Sequence, residues 1–584
     1  MKKVLPIIIF VFILLQLSCI TLSLQEKSTK VKQIDNVKKL IVHSNEFEKN
    51  IIKVKESIYV AIGYGLANSI MIEGNKSVVI VDVLESIEQA RIVKGEFEKI
   101  TQKPVKALIY THNHADHVFG GAAWADTKPD IYSHKSTVYH IEQILNKMRP
   151  IVGTRSLRMF GNNLDDEKLV NAGIGKRLYL NENSTVGILF PNKTFQNHLK
   201  VSIAGIKIEL IHAPGETDDQ IYVWLPEQKA LIFGDNFYKS FPNLYTIRGT
   251  RYRKLEKWVS SLDIIRKIKP DYLIPCHGKP IKGSQKIYKI ITDYRDAIQF
   301  VHDQTIRRIN QGFTPDELVE IIKLPNHLAT SPYLQEYYGK VSWAVRSVFN
   351  GHLGWFDGNS SKLHPLSPDN HAKLMVKIAG SQAALIKHAK SSFDQGDYQA
   401  ALQLTDDILR LDPDNDDAKE IRIDALTSLG QKEENANARH YYFSEALEIE
   451  DEYVLSETAS PNSETVNAFP LVSYFNLLKV NLKYESCIGM DKKAGFVFTD
   501  TGDVFTVWIR NGIAEIQAKL LDNLDIKVSL TSTQWKEMLA QIRSPILTIM
   551  RFSYEKGNPA SMTSFLKLFL PPEKKLSFQK IDIK

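Results

Sequence analysis

The residues best suited to chemistry lie in one short run, Thr111-His112-Asn113-His114-Ala115-Asp116-His117. Three imidazoles and a carboxylate packed this closely are the donor types that hold a divalent metal at neutral pH, zinc before iron or manganese. An apolar stretch, Ala107–Tyr110, leads into the run and reads as a strand. Where a strand ends the chain must turn, and alternate residues then point to different sides of the turn. Two imidazoles can meet one metal while Asp116 and His117 meet a second. A metal pair polarises a shared water, lowers its pKa and makes hydroxide available without a strong base. The Gly120-Gly121 pair that follows permits a tight return.

The elements that must position this run are short and alternate in type. Strands are predicted at Ile58–Ile62, Ser69–Ile72, Val78–Val83 and Ala107–Tyr110, with apolar residues at helical spacing over Ile87–Ile100. More strands follow at Val201–Ile203, Lys207–Ile211, Ile221–Leu225, Ala230–Phe233 and Asp271–Pro275. Strands and helices in this order predict an α/β catalytic domain over residues 51–285. Residues 286–445 read as helical. Within them, Gly396-Asp397-Tyr398 and Leu409-Arg410-Leu411-Asp412-Pro413 have the spacing of a tetratricopeptide-type hairpin. One or two such units cannot build a solenoid, so a small helical bundle at a dimer interface is expected instead. Residues 446–464 are acidic and polar, as in a linker. Residues 465–584 alternate strands in a meander (Gly495–Thr499, Val504–Ile509, Ala514–Gln517, Ile526–Thr531) with helices at Ser532–Ile542 and Pro559–Leu568. This third, α+β domain has no cluster of metal-ligand spacing, which points to binding rather than chemistry.

The bulk numbers set the class. A chain of 584 residues, 43% hydrophobic and 24% charged, is globular and holds several domains. The net charge is +7, but lysines and arginines are dispersed with no basic block among aromatics. Nucleic acid is therefore not an expected partner, whereas an anionic small substrate suits a mildly basic surface. Lys2 and Lys3 precede an apolar run, Val4–Leu15, followed by Leu17-Ser18-Cys19. Residues 1–19 thus read as an export signal, with Cys19 a candidate for acylation in a bacterial lipoprotein. Gln16 is unusual for such a signal, which leaves ordinary cleavage nearby or a retained anchor as alternatives. Residues 20–50 would then tether an exported domain, periplasmic or held at the membrane. Cys19, Cys276 and Cys487 are too few and too scattered for a disulfide framework.

The run at 111–117 together with Gly120-Gly121 resembles the metallo-β-lactamase superfamily, which implies an αββα sandwich with metals at its edge. Ala213-Pro214-Gly215-Glu216-Thr217, Gly234-Asp235-Asn236 and Pro275-Cys276-His277-Gly278 resemble its later ligand motifs in the right order. Most members carry histidine where this chain has Glu216; glutamate there resembles the alkylsulfatase (type III sulfatase) branch. The resemblance implies His112, His114 and Glu216 on one zinc, Asp116, His117 and His277 on the other, and Asp235 bridging. Alkylsulfatases usually have glutamate at the position of Asp235, and aspartate is common in the wider superfamily. Asp82 matches a position that supports the histidine loop.

Asn243-Leu244-Tyr245-Thr246-Ile247-Arg248-Gly249 resembles the alkylsulfatase segment whose Asn and Arg hold the sulfate. A guanidinium fork suits an oxyanion, and an amide adds a neutral donor. Tyr338-Gly339-Lys340-Val341-Ser342 and Leu353-Gly354-Trp355-Phe356-Asp357-Gly358-Asn359 are also similar to that family. Primary alkylsulfatases carry a histidine where this chain has Trp343. An indole there would add an apolar wall and could not donate a proton in the same way, which argues against a linear primary alkyl sulfate. Residues 380–445 resemble the family's dimerisation region. Residues from 465 on, around Phe498–Thr506 and Arg510-Asn511-Gly512, resemble its sterol-carrier-like domain, which suits a small amphiphilic sulfate ester. His134, His140 and His212 have no partner at ligand spacing and read as structural or surface residues. The rival readings are another hydrolase on the same metals (lactonase, phosphodiesterase or β-lactamase) and a lipid-binding envelope protein with a vestigial site.

Overall fold

The structure, a computed structural model, describes residues 37–569 except 146, 457 and 458. Two sheets form the heart of the catalytic domain. The first has seven strands in the order Asn50–Lys55, Ile58–Ile62, Ser69–Glu73, Val78–Val81, Val105–Ile109, Asp130–His134 and Lys193–Phe195. The second has six, Ile281–Lys282, Tyr272–Ile274, Ala230–Ile232, Ile221–Leu225, Ile206–His212 and His198–Ile203.

Alternation along the strands explains how they stack. In Val78–Val81 all four side chains are buried: Val79 and Val81 face the core between the sheets, while Val78 and Ile80 face the helix layer outside. Such a run, apolar on both faces, belongs in the middle of a covered sheet. Helix Ile87–Glu98 covers the first sheet with Ile87, Ala90, Val93 and Phe97, and Ser86 caps it by accepting from the Gln89 N–H. Helices Leu255–Ile268 and Ser284–Ile309 cover the second. The result is the expected αββα sandwich. Each fully buried Val, Leu or Ile side chain in it contributes on the order of 1.5–3 kcal/mol.

Beyond the sandwich, helices Pro368–Ala379, Gln382–Asp394, Tyr398–Leu411, Asp416–Lys432 and Ala436–Glu450 pack as a bundle with its own core. A five-stranded sheet follows with helices against it. Its strands are not a simple meander, because Ile526–Leu530 returns to run parallel beside Asp491–Phe498 and Ser553–Lys556 adds a fifth strand.

Two expectations are corrected. Residues 37–50 are not tether: residues 37–43 are helical, Leu40 and Phe47 are buried, and the Asn171 amide donates to the Leu40 carbonyl. The segment at 446–464 is not a free linker either. The helix of the bundle runs to Glu450, and Ser460–Pro461 pairs in parallel with Thr185–Val186 of the catalytic domain. Cys19 and the export segment lie outside the described residues, among which no helix is long and apolar enough to cross a membrane.

Candidate metal centre

Strand Val105–Ile109 delivers the chain to Thr111, after which His112 and His114 lie in the loop and Asp116 and His117 in the single turn Ala115–Val118. Asp82 locks this loop from behind. It leaves its strand with φ +58° and accepts from the Thr111 N–H (2.8 Å), the Thr111 hydroxyl (2.7 Å), His117 Nδ1 (2.7 Å) and the Cys276 thiol (3.1 Å). The support expected of Asp82 is therefore present. Its trio with His117 and Cys276 is held by hydrogen bonds, so it serves as a brace. Gly120 cannot be larger, since a Cβ there would stand 2.0 Å from the Val83 carbonyl oxygen.

The other ligands arrive on three loops, each pinned. The Asn236 amide spans two of them: its oxygen accepts from the Glu216 N–H (3.0 Å) and its nitrogen donates to the Ala213 carbonyl (2.8 Å). Gly215 makes room for that amide, because a Cβ would lie 2.0 Å from Asn236 Oδ1. Asn68 holds the third loop by donating to the carbonyls of Pro275 (3.0 Å) and Gly278 (2.9 Å), while His277 Nδ1 bonds the Leu66 carbonyl (3.0 Å). With Nδ1 so engaged, His277 presents Nε2 to the centre.

Two groups result, each with its ligand atoms within 4.8 Å of one another: His112, His114, Glu216 and Asp235 in one, Asp116, His117 and His277 in the other. Asp235 faces both, with Oδ2 at 3.7 Å from His112 Nε2 and Oδ1 at 3.4 Å from His117 Nε2. All seven candidate ligands from the sequence thus converge. Their chemistry fits a cation. His117 Nε2, Glu216 Oε2 and Asp235 Oδ1 are buried and have no hydrogen-bond partner, a cost that a metal would relieve.

The electrostatics agree. Burial, reinforced by neighbouring positive groups, holds His112 and His114 well below the usual imidazole range, leaving their lone pairs available. Burial also lowers His117, but the carboxylates of Asp116, Asp235 and Asp82 outweigh it and raise the ring well above its ordinary value. Burial, with Asp235 nearby, pushes Glu216 up to about 8 despite the ion pair it makes with Arg253. Carboxylates this deeply buried call for positive charge at their centre.

Several functional neighbours were not singled out from sequence. Arg253 is buried and bonds Glu216 Oε1 (2.6 Å) and the Asn243 carbonyl. Its only signal is its place five residues after Arg248. Tyr338, which the sequence marked only as part of a motif and gave no role, lines the cavity at the centre, and Glu85 is fully buried behind it. Glu85 Oε1 accepts from the Leu66 (3.0 Å) and Tyr179 (2.9 Å) N–H groups, and burial pushes it up to about 7. A carboxyl raised from 4.5 to about 7 in the folded state supports the fold fully below pH 4.5. That support is lost as pH rises through 7, by up to ~3 kcal/mol. Thermal unfolding across pH 4–8 should therefore show stability of the parent falling relative to Glu85→Gln; parallel profiles would contradict this assignment.

The remaining candidates divide. Arg248 reaches the centre, with Nη2 at 3.1 Å from His114 Nε2. Asn243 is buried, and neither atom of its side-chain amide has a partner. Trp343 lines neither cavity that reaches the ligands. It sits half-buried on helix Val341–Leu353 with Lys340 Nζ 5.9 Å over its ring. The indole wall expected of it is thus not part of either of these two cavities. His134 and His212 stack at 3.9 Å and bond the carbonyls of Gln196 and Asp218, in keeping with a structural role.

Known proteins match this arrangement along most of the chain. Residues 62–277 match the metallo-beta-lactamase superfamily and residues 314–452 the alkyl sulfatase dimerisation family. A linear primary-alkylsulfatase of Pseudomonas sp. (strain ATCC 19151) is 34% identical over 481 residues, covering 79% of this chain and 90% of the relative. An (R)-specific secondary-alkylsulfatase of Pseudomonas sp. is 29% identical, covering 84% and 76%. The solved structure of the stereoselective inverting sec-alkylsulfatase Pisa1 from Pseudomonas sp. superposes with a TM-score of 0.83 at 25% identity, over 90% of this chain and 85% of that one. The chain therefore belongs to the alkylsulfatase family of the metallo-β-lactamase superfamily, a family of metal-dependent hydrolases.

Proposed function

We propose that the protein hydrolyses sulfate esters of apolar alcohols at a pair of zinc ions. The observation that carries this reading is a single cavity with a charged end and an apolar wall. Its charged end holds His114, Asp116, Asp235 and Arg248; its wall includes Leu66, Phe119, Leu157, Phe160, Leu178 and Leu180. An amphiphile with an anionic head and a hydrocarbon tail matches both ends, and each buried methylene of the tail favours binding by about 0.8 kcal/mol. The rival of a vestigial site finds no support, since no candidate ligand is missing.

His112, His114 and Glu216 would hold one ion, Asp116, His117 and His277 the other, with Asp235 shared. Bound there, the metals supply hydroxide from water at neutral pH and offset the negative charge of the reacting group. Arg248 clamps the sulfate oxygens, and the unpartnered Asn243 amide adds a neutral donor. With Nδ1 on a metal, His114 would carry its proton on Nε2. Arg248 then has no acceptor on that ring, and its N–H groups are left for the oxyanion. Burial holds the Tyr338 hydroxyl far above its ordinary pKa, so it remains a hydrogen-bond donor at the same end of the cavity. The ester and water yield the alcohol and hydrogen sulfate. Labelled water oxygen would appear in the alcohol for C–O cleavage and in the sulfate for S–O cleavage.

Three further readings accompany the activity. The exposed Leu353, Trp355, Leu366, Leu374 and Ile378 give the helical region an apolar face that suits a homodimer. The cavity of the last domain, with Phe469, Tyr474, Leu477 and Leu539 on its wall, supports a sterol-carrier-like role in holding a hydrocarbon tail. An exported location rests on the leading lysines and apolar run alone.

The test is sulfate release from alkyl sulfates of graded chain length, parent beside Arg248→Ala with metal content matched. Loss of a positioned cationic donor should lower kcat/KM by roughly 10²–10³. A fully metallated parent that releases no sulfate would overturn the proposal.

A further inference from the structure

The metal centre opens on two cavities of opposite character, and helix Arg149–Phe160 is the partition between them. Leu157 and Phe160 line the apolar cavity, Ile151 and Arg155 line the other, and Val152 touches both. His114 and Arg248 are also common to both. The second cavity is cationic. Arg155, Arg248, Arg251, Arg253 and Lys254 line it against the carboxylates of Glu216 and Asp218. In the apolar cavity Arg149 and Arg248 are balanced by Asp116 and Asp235.

We propose that this second cavity is an anion lane, by which inorganic sulfate passes between Arg248 and solvent while the alcohol leaves along the apolar wall. The proposal rests on the sulfatase reading and extends it to the fate of the two products. They differ in what they can cross. A sulfate ion moving past Leu157, Phe160 and Leu178 would give up its hydration for groups that cannot replace it, at a cost of many kcal/mol. Cationic walls replace that hydration and raise the local anion concentration. Two of the cations have little else to do. Arg253 is engaged by Glu216 and Arg155 by the Ile247 carbonyl. Arg251 and Lys254, by contrast, are exposed, and neither has a carboxylate within ion-pair distance among the described residues. Beside Arg248, Gly249 has φ +107° and no atom within 4 Å of where a Cβ would stand, which leaves open space beside the guanidinium-bearing residue.

The test uses the full metal-loaded protein and inorganic sulfate as the probe. In Arg251→Glu/Lys254→Glu, sulfate should bind at least about fivefold more weakly at low ionic strength. This is read both as product inhibition and by titration calorimetry without substrate. The difference should shrink toward the parent at high salt, where screening is short-ranged. The dependence of KM on chain length should not change. Leu157→Trp should do the reverse, shifting the chain-length dependence and leaving sulfate affinity alone. Unchanged sulfate affinity in the charge-reversed protein at low salt, with its metal content intact, would overturn the lane. If the parent hydrolyses no sulfate ester yet the titration still responds to Arg251 and Lys254, the sulfatase reading falls and the anion site stands.

Discussion

Asp235→Ala is expected to lower sulfate release by at least about a thousandfold, or about 4 kcal/mol of transition-state stabilisation. Asp235 is the carboxylate that faces both ligand groups, with Oδ2 at 3.7 Å from His112 Nε2 and 3.2 Å from His277 Nε2. Burial alone would raise its pKa, but His277, His117 and His112 outweigh burial and hold it well below the ordinary range. The carboxylate is thus held toward its ionised form, as a metal ligand needs to be. Its loss removes a shared donor and leaves His117 and His277 with no common partner except Asp116. Metal content measured by mass spectrometry should fall in step with the initial rate. Asp235→Glu, which installs the residue the family resemblance leads one to expect, should retain measurable activity. Parent rates in Asp235→Ala would remove this residue from the centre.

Arg253→Met is expected to weaken metal binding by about 10–100-fold at pH 7, the scale seen when a residue that supports a ligand is lost. Arg253 is the positive charge that draws Glu216 downward against burial. Without it the Glu216 pKa rises further above about 8, so a smaller fraction is ionised at pH 7 and protons compete with metal. Raising the pH restores the carboxylate. The affinity deficit measured with a competing chelator should thus narrow between pH 7 and pH 9. A deficit independent of pH would mean that Arg253 acts through packing alone. The Asn243 backbone also bonds Arg253, so the variant should in addition lose affinity for sulfate.

Much of the site was legible in the sequence because it is local. The His112–His117 run follows a strand whose apolar residues announce it, and the structure ends that strand at Ile109, one residue short of the expected Tyr110. Glu216, Asp235 and His277 came through resemblance, and the structure brings all three to the run. What was not legible is non-local. Arg253 and Glu216 are 37 residues apart and meet only because two loops fold over the sheet edge. Glu85 reads in sequence as an ordinary acidic residue at a helix start, yet two distant backbone amides bury it. Trp343 shows the converse: resemblance implied a place at the substrate, whereas the two cavities that reach the ligands are lined without it. Segment 37–50 looked like solvent-exposed tether because it closes a polar, lysine-rich stretch, yet three spaced apolar side chains, Val37, Leu40 and Phe47, are buried and dock it on the fold.

The central claim is that sulfate-ester hydrolysis here depends on a pair of metals held by these seven side chains. Titrating zinc into chelator-treated protein, while following sulfate release from an alkyl sulfate, tests it most directly. Release should be absent without metal, appear on addition and level off near two ions per chain. Release that survives complete removal of metal would contradict the account.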